Sequence, residues 1–285
     1  MKKILTLIII VALAIVPLAS CANETGGFNE KTDIGVTTRE EGSGTRGAFV
    51  ELVGILQDDV DLTSVNAVTT NGTSVMMTTV AGDLYSIGYI SLGSMNDSVK
   101  AVQVDGAEAT VENINSGAYK IARPFNLAYN GELSENAQDF LDFVLSKQGQ
   151  GIVSEDGYIA LADAPEYTGS MSSGKVTVHG STSVAPVMGK IKEAYEELNS
   201  GVTVEIQSSG SSAGMTDAID GTCDIGMASR EVKDSEIEAG LTPVVMAMDG
   251  IAVIVHNDNP VEKLTSEQIM KIFTGETTKW SDVMD

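Results

Sequence analysis

Three short turns built from glycine and small hydroxyl residues constrain this chain more than any other feature. Gly42-Ser43-Gly44-Thr45 follows the β-branched run Ile34-Gly35-Val36-Thr37-Thr38. Gly180-Ser181-Thr182-Ser183 follows Val176-Thr177-Val178-His179, and Gly210-Ser211-Ser212-Ala213-Gly214 follows Val202-Thr203-Val204-Glu205-Ile206. Each predicts a strand that stops in a tight turn and opens a helix. The first N–H groups of such a helix lack intrahelical acceptors and carry about half a positive charge, which suits an anion. A single turn of this kind reads equally well as an ordinary helix cap. Three of them, with Arg39 just upstream of the first, predict convergence on a tetrahedral oxyanion.

The rest of the pattern alternates strand and helix. Ser134 precedes a helix whose apolar face is Ala137, Phe140, Leu141, Val144 and Leu145, and a second helix presents Val184, Val187, Met188, Ile191, Tyr195 and Leu198. A third opens at Thr265 with Gln268 three residues on, a capping box, and stops at Gly275. The runs Thr242–Met246 and Ile251–Val255 read as strands buried on both faces. The fold class is therefore α/β. The stretch 163–175, polar and rich in glycine and serine, reads as a linker. Met227, Met246 and Met248 read as core or cleft lining, and neither a metal site nor a cofactor is expected.

A basic start at Lys2 and Lys3, an apolar run from Ile4 to Pro17 and small residues before Cys21 describe a secretion signal over residues 1–20. Leu18-Ala19-Ser20-Cys21 resembles the bacterial lipobox, which implies a lipid on Cys21, a tether over 21–32 and attachment to the outer face of the cell membrane. Ordinary secretion with Cys21 as a bystander is the alternative. Cys21 and Cys223 are the only cysteines, so a lipidated Cys21 leaves no disulfide. The net charge of −23 excludes nucleic acid as a partner and requires an anionic ligand to be held by local donors.

The segments Val178–Val187, Gly210–Gly214, Asp224–Arg230 and Thr38–Arg46, with Ile87–Gly93, Phe273-Thr274-Gly275 and Trp280–Val283, resemble the phosphate-binding proteins of bacterial phosphate ABC transporters. The resemblance covers about 33–163 and 175–285. It implies a two-lobed fold of the type II periplasmic-binding-protein kind, inorganic phosphate as ligand, and a permease and ATPase complex as partner, with the chain expected to be a monomer and no enzyme. The order of segments differs from the family's. There the His-Gly-Ser-Thr-Ser type segment comes first and the Thr-Arg-Glu-Glu-Gly-Ser-Gly-Thr type segment follows the Trp-Ser-Asp-Val type. The chain thus reads as circularly permuted, or as a truncated tandem duplication. Lobe one is expected at 33–92 with 254–285, and lobe two at 93–253.

Carried over residue by residue, the phosphate contacts fall on Thr182, Ser183, Ser211, Ser43, Gly44, Thr45 and the arginine Arg39. Ser229, followed by Arg230, stands where some members have the aspartate that accepts the phosphate proton, and Glu41 matches the acidic residue that holds the arginine. Two other readings stay open. One is a sulfate or molybdate binder on the same fold. The other is a serine hydrolase, with Gly210–Gly214 as nucleophile elbow and Asp224 and His256 following in that order.

Overall fold

The structure, a computed structural model, describes residues 27–284; the expected signal and Cys21 lie outside the described residues. In chain order come β1 (Gly35–Arg39), α1 (Gly44–Leu52), β2 (Val68–Thr70), α2 (Thr73–Ala81), β3 (Ser86–Ser91), β4 (Val99–Ala101) and β5 (Ala122–Asn130). They are followed by α3 (Glu135–Leu145), α4 (Lys147–Glu155), β6 (Gly174–Gly180), α5 (Ala185–Leu198), β7 (Val202–Ser208), α6 (Ser211–Ile219), β8 (Ile225–Ala228), β9 (Leu241–His256) and α7 (Ser266–Thr274). The ends form where the side chains allow. Ser134 Oγ caps α3 by accepting from Ala137 N at 3.2 Å, and Thr265 and Gln268 close the predicted capping box of α7, which ends at Gly275 with φ 83°.

The two halves repeat one motif. In the first, β1 lies between parallel neighbours β2 and β3; in the second, β6 lies between parallel neighbours β7 and β8. In both, strand, helix, strand, helix, strand follow in that order, so within each half the strand ends and helix starts point the same way, while the two sets run antiparallel to each other through the sheet. These nine strands join one sheet in the order β7-β6-β8-β5-β9-β3-β1-β2, with β4 on β9.

The link between halves is β9, a single strand of 16 residues. Leu241–Gly250 pairs with β5 and Ile251–Val255 pairs with β3, antiparallel in both cases. The sequence suggests two separate runs here, 242–246 and 251–255; the strand continues through Asp249, which is buried against Arg123. The first run is not buried on both faces as expected, since Val245 is 41% exposed.

Two main cores hold the halves. Phe49, Ile87, Tyr89, Val253, Phe273 and Trp280 belong to the first, and Phe125, Phe140, Val178, Ile191, Tyr195 and Met227 to the second. Each such buried side chain contributes about 1.5–3 kcal/mol. Val102, Val104, Tyr119 and Ile121 join the first core, and Tyr119 donates its hydroxyl to Ile251 O at 2.7 Å. Residues 102–121, expected in lobe two, thus pack with the first core.

The segment expected as a tether is docked from Phe28 onward: its ring packs on Tyr85 and Trp280. Glu30 O accepts from Ser281 N at 2.7 Å, and Asp33 bridges to Lys279, so the two ends of the described chain lie side by side. The 163–175 stretch is equally held, with Tyr167 and Tyr195 both donating to Asp139, at 2.6 and 2.7 Å. Among the described residues no helix is long and apolar enough to cross a membrane.

Candidate functional site

Four helix starts meet between the lobes: α1 and α2 from the first, α5 and α6 from the second. Gly72 and Gly210 precede α2 and α6 with φ of 94° and 96°, a conformation that glycine adopts without the cost a side chain would carry. Neither helix has a side-chain cap. The N–H groups of Gly44, Thr45, Thr182 and Ser211 likewise have no backbone acceptor among the described residues.

Arg39, the last residue of β1, is 1% exposed. Its Nε and Nη2 each donate to one oxygen of Glu40 at 2.7 Å, and Nη2 also donates to Thr182 Oγ1 at 2.9 Å. Its Nη1 is buried and has no partner. A buried donor on a charged group without an acceptor is costly, so this atom is a candidate donor to an anion. Burial pushes the Glu40 carboxyl up, but Arg39 and the Gly72 N–H outweigh it and hold the group below its ordinary range.

Beside Arg39 lies a knot of hydroxyls drawn from both lobes. Thr45 Oγ1 lies 2.9 Å from Ser183 Oγ and 3.2 Å from Ser229 Oγ, and Thr73 Oγ1 lies 3.2 Å from Ser183 Oγ. Ser181 donates to Ser229 Oγ at 3.0 Å, and Ser211 Oγ accepts from Ser229 N at 3.2 Å. Gly44 lets α1 come this close, since a Cβ there would run into the Ser211 and Ser229 hydroxyls.

Behind the knot is a buried ion pair, Arg123 with Asp249. Arg123 also donates to Thr45 Oγ1 at 3.2 Å, Ser229 O at 3.2 Å and Gly250 O at 2.9 Å. Ser91 Oγ donates to Asp249 at 2.7 Å. Burial raises the Asp249 carboxyl above its ordinary value, against the pull of Arg123, Ser91 and the Gly93 N–H.

Of the residues expected from sequence, Arg39, Gly44, Thr45, Thr182, Ser183, Ser211 and Ser229 come together here. Ser43 is used as the cap of α1, accepting from Arg46 N at 3.3 Å. Arg230 is tied to Glu236 at 2.7 and 2.9 Å and reaches Ser212 at 3.4 Å. Glu41 is exposed, and the carboxylate that holds Arg39 is Glu40; the left-handed turn at Gly42, φ 82°, carries Glu41 outward. The sequence reading missed Thr73, Ser181, Glu40, Arg123 and Asp249.

The hydrolase constellation is not assembled. Asp224 bonds Thr177 N and Oγ1 at 2.7 Å, and His256 Nδ1 accepts from Asp258 N at 3.0 Å, so neither serves Ser211. A cavity of about 630 Å³ opens alongside, lined by Ser43, Arg46, Arg123, Ser212 and Arg230 among others. Arg39 does not line it, and the convergent donors rather than this open volume are the candidate anion site.

The PBP superfamily domain matches residues 23–148 and 165–285. The chain is 53% identical over 272 residues to phosphate-binding protein PstS 2 of Streptococcus agalactiae, covering 93% of this chain and 92% of the relative. It is 43% identical over 289 residues to phosphate-binding protein PstS 2 of Streptococcus pneumoniae, covering 99% of each. The crystal structure of a phosphate-binding protein of a phosphate ABC transporter from Streptococcus pneumoniae superposes with a TM-score of 0.72 at 44% identity, over 88% of this chain and 100% of that one.

Proposed function

The chain belongs to the PBP superfamily, among the PstS phosphate-binding proteins, and on that premise we propose that it captures inorganic phosphate outside the cell for an ABC importer. It acts as a binder, not an enzyme. The observation that carries the reading is the orphaned, buried Arg39 Nη1, on a guanidinium from one lobe whose Nη2 reaches Thr182 at a helix start of the other. A planar guanidinium can give phosphate a directed, charge-assisted bond. Each such bond contributes about 1.5–3 kcal/mol, and micromolar affinity requires about 8 kcal/mol net of the costs of association. A few of them therefore suffice. The phosphate ligands are Arg39, Thr45, Thr182, Ser183, Ser211 and Ser229 with the N–H groups of Gly44 and its neighbours. Calorimetry tests this: one phosphate per chain is expected, and no saturable heat at millimolar phosphate would overturn it.

The lipid anchor on Cys21 belongs to the same proposal. A secreted binder that serves a membrane importer gains from staying at its surface, and Cys21→Ala should release the protein from the membrane. Circular permutation is supported by the contact of Glu30 and Asp33 with Ser281 and Lys279, since permutation needs the new ends to share one surface. A monomer in solution fits that origin, whereas an exchange of segments between two copies would favour a truncated duplication.

A further inference from the structure

A carboxylate acceptor in the site would let a binder accept the proton of phosphate and repel sulfate, so the acceptors of this site decide what it can tell apart. Glu40 uses both oxygens on Arg39, and one of them also takes the Gly72 N–H at 3.3 Å. Asp249 takes Arg123 and Ser91 on one oxygen and the Gly93 N–H, at 3.3 Å, on the other. Neither carboxylate has an oxygen hydrogen-bonded within the hydroxyl knot. Ser229 stands at the heart of the knot, 1% exposed, and its hydroxyl can turn: it accepts from a protonated oxygen or donates to a bare one.

The charged surroundings are otherwise balanced or absent. The first turns of α1, α2, α5 and α6 hold no acidic residue. On α1 and beside β8, Arg46 pairs with Asp61 and Arg230 with Glu236, and Glu41 is exposed. The chain has two histidines; His179 Nδ1 bonds Asp217 at 2.8 Å and His256 Nδ1 accepts from Asp258 N. Neither imidazole is hydrogen-bonded within the hydroxyl knot.

We infer that this site, if it is the phosphate site argued above, recognises a tetrahedral dianion by charge and shape and not by its proton. Phosphate then binds as the hydrogen phosphate dianion, its single proton met by the Ser229 oxygen, and sulfate competes. The dihydrogen form carries a second hydroxyl that finds donors where it needs an acceptor, and it is rejected for that reason.

Calorimetric titration of the purified protein with phosphate and with sulfate from pH 5.5 to 8.5 tests the inference. Below the second ionisation of phosphate the apparent Kd should rise about tenfold per pH unit, by linkage to one proton, and level off above it. The sulfate Kd should stay constant across the range, and at pH 8 lie within about tenfold of that for phosphate, the weight of one neutral hydrogen bond. Ser229→Asp supplies the missing acceptor and should flatten the phosphate profile while excluding sulfate. A wild-type phosphate affinity flat across the range, or no displacement of phosphate by excess sulfate, would overturn the inference while leaving phosphate binding intact. Failure to bind phosphate even at pH 8 would instead remove the functional reading on which it rests.

Discussion

Glu40 grips Arg39 with both carboxylate oxygens, at 2.7 Å to Nε and 2.7 Å to Nη2, and leaves Nη1 buried without a partner. The arginine is thereby aimed before any ligand arrives, which removes part of the ordering cost from binding. Glu40→Ala should weaken phosphate binding by about 1.5–3 kcal/mol, the weight of one charge-assisted contact. Glu41→Gln, at an exposed position, should change affinity by less than about 0.5 kcal/mol. Calorimetry on both variants checks the assignment, and the opposite ranking would restore Glu41 as the holder of Arg39.

The same pair predicts an acid sensitivity. Because Arg39 holds the folded Glu40 below its unfolded value, its stabilisation is present above the ordinary carboxylate pKa and is lost as pH falls through the depressed folded value. Urea midpoints of the wild type and Glu40→Gln should differ by a constant amount from pH 6 to 8. They should converge in acid. A gap that widens on acidification would contradict the pairing.

Arg123 and Asp249 sit where β9 passes from one lobe to the other, and they should matter as a pair. Removing one partner of a buried ion pair costs about 3–5 kcal/mol, so Arg123→Met should lose that much stability at pH 8. Burial already raises Asp249, and without Arg123 its ionised form is penalised further, so protonation at lower pH should recover part of the loss. The double variant Arg123→Met, Asp249→Leu should lose less than Arg123→Met alone. Denaturant unfolding at two pH values measures all three.

Gly44 is required by contact across the cleft. Gly44→Ala should keep the lobes folded but hold them apart, because its methyl meets Ser211 and Ser229 from the opposite lobe. The overpacking costs about 1–3 kcal/mol and should appear as weakened phosphate affinity with a larger radius of gyration in saturating phosphate. An unchanged affinity would mean that the ligand does not need this closure.

The turns after β1, β6 and β7 were legible because each couples a β-branched run to a Ser-Gly start. The fourth, Asn71-Gly72-Thr73, was not: β2 is three residues long, and Gly72 offers no capping side chain to signal the helix. Arg123 and Asp249 are 126 positions apart, and a strand arginine and a glycine-flanked aspartate look like surface residues until the sheet brings them together. The choice between Glu40 and Glu41 turns on the backbone at Gly42. Apolar periodicity carries no information about that turn.

Arg39 Nη1 and the hydroxyls of Thr45, Ser183 and Ser229 are proposed to receive the anion. A crystal structure of the protein grown with phosphate tests it most directly. One phosphate is expected between the lobes, with an oxygen within about 3 Å of Arg39 Nη1 and Glu40 still bound to Nε and Nη2. Phosphate seated instead in the neighbouring cavity against Arg46 and Arg230, with Nη1 still unpartnered, would contradict it.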